Sequence, residues 1–206
     1  MEKLYLCNME DRKLLNIELG RISADEYRRR PESGIVVVLD NIRSAHNVGS
    51  AFRTSDAFGV DKIYLGGICP VPPSPELHKV ALGAEEVVPF EHVADVVDLV
   101  HRLREEGYTV IAVEQTVNSV KLDEFRPEGG TDSAGHRPFS RPAESVLLPK
   151  AKYALIFGNE VSGVQQEVVN ATHFALEIPQ RGTKHSLNVS VSIGVVLWGL
   201  VQAVNR

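Results

Sequence analysis

Cysteine is nearly absent from this 206-residue chain, which holds only Cys7 and Cys69. Their spacing fits neither a disulfide framework nor a zinc site. No cluster of ligating side chains stands at metal spacing, so no metal is expected. The first residues lack the apolar core of a signal peptide, which makes a reducing cytoplasm the expected setting. No Gly-x-Gly-x-x-Gly occurs, so the dinucleotide fingerprint is excluded. Internal repeats are lacking too. Charge of one sign is not dominant: 22 basic and 27 acidic residues leave a net charge of -5. Nucleic-acid binding would therefore have to rest on a local patch. Within 178–206 there is no Asp or Glu at all.

What is present is an ordinary globular composition, 43% hydrophobic and 24% charged. That argues against general disorder. The length suits one sizeable domain with a small appendage. The segment 178–206 organises the rest. Its first half crowds together Arg181, Lys184, His185, Ser186 and Asn188, and its second half, 189–204, is almost wholly apolar. A polar turn feeding a buried helix is a site on rigid support. The run 187–204 approaches the length of a membrane span. Asn188, Ser190, Ser192 and Gln202 interrupt it, so no membrane span is expected. Val191, Val195, Trp198 and Gln202 share one stripe of this helix; Ile193, Leu197, Leu200 and Val204 share another. One stripe suits the domain core and the other a second subunit.

Residues 1–32 form a short extension. Ser23 and Glu26 read as a capping box opening a helix that Pro31 ends. The run Arg28, Arg29, Arg30 is either a solvated helix end or an RNA-backbone contact. In 33–206 strands and helices alternate. The β-branched run 34–39 reads as a strand buried on both faces. A polar loop follows at 40–47. Val48, Ala51, Phe52 and Ser55 then recur at helical spacing up to Gly59. Further strands are expected at 62–65, 87–90, 108–113, 153–157 and 174–178. Helices are expected at 93–106, with Val93, Val96, Val97, Val100 and Leu103 inward, and at 164–170. The stretch 70–75 reads as a proline-rich loop. Residues 127–149 lack any apolar period and read as a mobile surface insertion. The class is α/β with a mostly parallel sheet and helices on both faces.

Three polar clusters stand at strand ends: Asn47, Ser50 and Arg53; Gly158 to Glu160; and Ile178 to Asn188. Each has a plainer reading taken alone. Asn47, Ser186 and Asn188 are credible helix caps. Glu160 suits a helix N-terminus and Arg53 a solvated face. Their joint occurrence is harder to explain so.

Together, Asn47-Val-Gly-Ser-Ala-Phe-Arg53, Phe157-Gly-Asn-Glu160 and Ile178-Pro-Gln-x-Gly-x-x-x-Ser-Leu-Asn-Val-Ser-Val191 resemble motifs 1, 2 and 3 of the SpoU-type RNA ribose 2′-O-methyltransferases of the SPOUT superfamily. The resemblance covers about 34–206, and its third motif is the most specific. Gln180 departs from the family's usual Met. The resemblance implies a C-terminal trefoil knot, an exception to the usual rule, and an obligate homodimer. It implies S-adenosylmethionine held by Gly158, Ile178 and Leu187, with Val113, Glu114 and Gln115 nearby. It implies Arg53 at the ribose and phosphate, supported by Asn47, Ser186 and Asn188, with Glu160 tying the loops together.

A ribose hydroxyl is a poor nucleophile near neutral pH, so methyl transfer needs alignment and a partly deprotonated oxygen. Guanidinium has a pKa above about 12 and is effectively always protonated. Arg53 is therefore better placed as an electrostatic clamp than as a base. RNA affinity is expected from Arg43, Lys79, Arg181 and Lys184. The small extension favours tRNA over rRNA as substrate. A non-catalytic RNA-binding module on the same fold is the alternative, disfavoured by three intact motifs.

Overall fold

The computed structural model describes residues 12–126 and 151–204. The insertion expected at 127–149, Cys7 and the side chain of Val204 lie outside that description. The chain divides into two compact units, Met1–Arg30 and Pro31–Arg206.

In the first unit, the 3-10 turn Asn16–Leu19 precedes helix α1, Ala24–Arg29. The Glu26 amide donates to Ser23 Oγ at 3.2 Å, and Glu26 Oε2 accepts the Ser23 amide at 2.7 Å. That reciprocal pair is the capping box read from the sequence. In the arginine run, Arg28 pairs with Asp25 at 3.3 Å. Arg30 stacks over Tyr27 at 4.3 Å.

The second unit is built on one sheet. Its strands are β1 Ile35–Asp40, β2 Lys62–Gly66, β3 Phe90–Val93, β4 Tyr108–Val113, β5 Val120–Lys121, β6 Lys152–Phe157 and β7 Phe174–Glu177. They lie in the order β3-β2-β1-β6-β4-β7-β5. Every pairing among them is parallel. Helix α2 spans Ala45–Phe58, α3 Pro75–Ala81, α4 Ala84–Val87, α5 Val96–Glu105, α6 Gln166–Ala171 and α7 Val189–Val204.

Alternation along the central strands builds two cores. Val36, Val38, Val110, Ala112, Ala154 and Ile156 pack with Val96, Leu99, Val100 and Leu103 of α5 and Val168 of α6. Val37, Leu39, Ile111, Leu155 and Phe157 point the other way and are also buried. Helix α2 packs against both α3 and α7. Burial on both faces is why the strands read as unbroken apolar runs.

Several expected elements differ. Residues 87–90 are not a strand: α4 ends at Val87 and β3 begins at Phe90. A run this short has no period long enough to separate the two readings. Val93 belongs to β3, opposite Gly66, and not to the following helix. That helix begins at Val96 because Asp95 Oδ1 accepts the amides of Val97 at 2.7 Å and Asp98 at 3.1 Å. Such a cap fixes where the helix can start. The proline-rich stretch feeds α3, since Ser74 caps it and Pro75 sits at the first position, where no amide is needed. Strand β5 has only two residues and was not expected from the sequence.

Helix α7 shows the two stripes. Ile193, Val196, Leu197 and Leu200 are buried. Each such side chain contributes about 1.5–3 kcal/mol on burial. Val191 is 50% exposed, Val195 37% and Trp198 58%. No helix among the described residues is long and apolar enough to cross a membrane.

Candidate active site

Because the strands are parallel, their carboxyl ends gather on one edge, where open α/β sheets place ligands. The loops after β4, β6 and β7 enclose a cleft of ≈ 680 Å³ there. All six residues expected around a cofactor line it: Val113, Glu114, Gln115, Gly158, Ile178 and Leu187. Glu160, Ser186 and Asn188 line it as well. Its volume is that of a small-molecule site.

Two glycines let the backbone close up. A Cβ at Gly158 would meet the Val164 nitrogen at 2.0 Å and the Gly163 carbonyl carbon at 2.1 Å. Gly163 has φ +69 and packs against the Glu114 carboxylate. Only glycine fits either position without moving the loop. Glu114 then pins that loop to β4, accepting the Val164 amide at 3.0 Å and the Gln115 amide at 2.8 Å. Gln115 Nε2 donates to the His185 carbonyl at 2.8 Å, tying down the loop 178–188.

The three motif segments meet at the edge of the cleft. Asn47 Nδ2 donates to Glu160 Oε1 at 2.9 Å. Asn188 Nδ2 donates to Asn47 Oδ1 at 3.3 Å. The amides of Arg43 and Ser44 each donate to Glu160 at 3.3 Å. Burial opposes ionisation of Glu160, but the Asn47 donor and these amides outweigh it and hold its pKa below the usual carboxylate value. The N-terminus of α2 favours the same charge. Asn188 Oδ1 also caps α7 by accepting the Ser190 amide at 2.8 Å. Asn188 thus acts as a helix cap while its amide reaches Asn47.

The structure does not bring every candidate into the cleft. Arg53 is exposed on α2, six residues past Asn47, which is about 9 Å along the axis at the helical rise. It has no hydrogen-bond or ion-pair partner among the described residues. Arg43, Arg181 and Lys184 are exposed on loops next to the cleft, and Lys79 is exposed on α3, outside the lining.

Folding does bring ligating side chains together: atoms of His78, Glu85 and Glu86 lie within 4.8 Å of one another. Between them α3 ends at Ala81, Leu82 and Gly83 turn left-handed, and α4 begins at Ala84, a juxtaposition invisible as linear spacing. His78 pairs there with Glu85, whose hydrogen bond and charge raise the His78 pKa. None of the three lines the cleft.

Sequence reasoning missed a second polar layer under the site. Asp40 is fully buried and accepts the Gln165 amide and the Asn41 side chain, both at 2.9 Å. Its burial raises its pKa despite those donors. Asn41 is left-handed, with φ 55, and its side chain also reaches Gln165 Oε1 at 2.7 Å. Asn159 Nδ2 donates to the Asn41 carbonyl at 2.7 Å. The available signal was an Asp-Asn pair at the end of a buried strand, since Asn tolerates the left-handed region. Cys69 lies below this layer, its sulfur accepting the Ile42 amide at 3.2 Å. Burial pushes that thiol up to about 12, so it is no nucleophile.

Comparison with known proteins agrees with this layout. The model of the SpoU rRNA methylase family matches residues 34–198, which contain all three loop segments. The 23S rRNA (guanosine-2'-O-)-methyltransferase RlmB of Nitrosomonas europaea is 30% identical over 167 residues, covering 81% of this chain and 55% of that protein. The tRNA (guanosine(18)-2'-O)-methyltransferase TARBP1 of Mus musculus is 30% identical over 168 residues, covering 81% of this chain and 9% of that protein. Among solved structures, an AdoMet-bound rRNA methyltransferase from Sinorhizobium meliloti superposes with a TM-score of 0.66 at 24% identity, covering 85% of this chain and 59% of that one. The chain thus spans little more than half the length of the rRNA relatives it matches. With the family model covering most of its length and every motif segment at one cleft, the chain belongs to the SpoU rRNA methylase family.

Proposed function

We propose that this protein is an enzyme that transfers a methyl group from S-adenosylmethionine to a ribose 2′-hydroxyl of structured RNA. The observation that carries the reading is the junction of Asn188, Asn47 and Glu160 beside the cleft of Gly158, Ile178 and Leu187. It joins one residue from each motif at a pocket of cofactor size. Relatives named for guanosine 2′-O-methylation support it.

The cleft suits the cofactor on its own geometry. Gly158 and Gly163 admit close backbone approach, and Ile178 and Leu187 offer apolar surface to a base. When bound, the cofactor supplies an electrophilic methyl on a sulfonium. Arg53 stands on α2 outside the cleft of its own chain, so its charge acts on the hydroxyl and the adjacent phosphate of RNA that extends beyond that cleft, and Asn47 holds the start of its helix to the cleft. Ser186 lies in the lining without a hydrogen-bond partner among the described residues, so its hydroxyl remains available to substrate. The transfer breaks the sulfur–methyl bond, leaves its electron pair on sulfur, forms the oxygen–methyl bond and releases the hydroxyl proton to solvent.

The substrate class in this reading is structured tRNA or rRNA. The relatives' names divide between 23S rRNA and tRNA. Residues 33–206 are the catalytic domain in this reading, with 1–32 as an extension, acting in the cytoplasm. The unit is a knotted homodimer joined through Val191, Val195 and Trp198, whose exposure on an apolar helix supports a second copy there. Titration calorimetry of clean apo-protein tests the cofactor half of the proposal. S-adenosylmethionine should bind without metal or RNA and NAD should not; binding of NAD alone rejects the reading.

A further inference from the structure

The cleft has an unbalanced charge. Three carboxylates line it, from Glu114, Glu160 and Glu177, and no Lys, Arg or His is among the lining residues. Their partners are neutral donors. Glu114 accepts two backbone amides, Glu177 accepts the Ser119 hydroxyl at 2.7 Å, and Glu160 accepts Asn47 and two amides. None of the three has a cationic partner among the described residues. A concave surface lined by one sign of charge focuses its field on whatever enters.

We propose that Glu114 and Glu177 are specificity-determining residues that make the cleft select a ligand with a positively charged sulfur over the same ligand with a neutral one. The inference rests on the cofactor reading above and deepens it. S-adenosylmethionine and S-adenosylhomocysteine differ by one methyl group and one positive charge. Methyl transfer therefore erases the charge that the carboxylates attract, and product leaves a cleft that held substrate more tightly. Glu114 has a second task, holding the Gly158–Val164 loop, and Glu177 does not touch that loop's amides. The two residues thus separate charge from scaffolding.

The test is calorimetric binding of both ligands to the full chain, as wild type, Glu114→Gln and Glu177→Gln. Each substitution should weaken S-adenosylmethionine about tenfold, the scale of one charge a few ångströms away at intermediate dielectric. S-adenosylhomocysteine should stay within about threefold, so the affinity ratio moves. A scaffolding role alone moves both ligands together. If Glu114→Gln fails to fold, Glu177→Gln carries the test. Wild type that binds both ligands with an unchanged ratio in the variants overturns this inference alone. Wild type that binds neither overturns the cofactor reading and this inference with it.

Discussion

Asn47 and Glu160 are 113 residues apart in the chain and 2.9 Å apart in the fold. The amide nitrogen of one meets a carboxylate oxygen of the other at the start of α2. The same Asn47 accepts from Asn188, so a single side chain joins loops following β1, β6 and β7. Charge-assisted bonds of this kind are stronger than neutral ones, and removing one partner leaves the other unsatisfied.

Glu160→Gln should therefore lose stability in a pH-dependent way. The folded pKa of Glu160 lies below its ordinary value, so ionisation stabilises the fold. That contribution is complete above the unfolded carboxylate value of about 4.3 and fades as pH falls through the folded one. Thermal unfolding at pH 7 should place the variant below wild type. The gap should close as the pH drops below about 4. A gap independent of pH contradicts the charge argument.

Gly158→Ala should abolish cofactor binding. The added methyl lands 2.0 Å from a backbone nitrogen, which has no rotamer to yield. The loop must move, and with it one wall of the cleft. Calorimetry showing wild-type affinity in this variant would mean the loop is not the binding wall.

Helix α7 separates two kinds of substitution. Leu197→Ala opens a cavity at a fully buried site and should cost about 2–5 kcal/mol in denaturant unfolding. Trp198→Asp removes an exposed apolar ring, 58% accessible, and should leave the fold while yielding monomer in sedimentation. Wild type sedimenting as monomer at micromolar concentration rejects the interface.

These contrasts show what could be read from the sequence. The two stripes of α7 followed from spacing alone, because a helix buries one face at a time. The central strands followed from their unbroken β-branched runs. Short elements did not: α4 and β3 meet within a few residues, and no period resolves them. Within the site, the motif residues were legible by resemblance, but Asp40, Asn41 and Gln165 were not. Their roles come from a left-handed Asn and a buried carboxylate, which need three-dimensional neighbours to be seen. The placement of Arg53 outside the cleft was equally invisible, since motif order carries no distance.

Arg53→Ala should keep wild-type unfolding behaviour, because the exposed guanidinium has no partner among the described residues to lose. Its rate of RNA methylation should fall about 100- to 1000-fold, the usual loss for one transition-state donor. Arg53→Lys should recover little, since lysine lacks the planar fork that grips phosphate at two points. Near-full recovery with lysine would reduce the role to charge alone.

The most direct measurement is nucleoside mass spectrometry of RNA treated with the purified protein. Unmodified tRNA and 23S rRNA would be incubated with S-adenosylmethionine carrying a heavy methyl group, then digested. The account predicts the heavy methyl on a ribose 2′-oxygen at a defined nucleotide, absent with Arg53→Ala. A heavy methyl on a base, or none on either RNA from an enzyme that binds the cofactor, contradicts it.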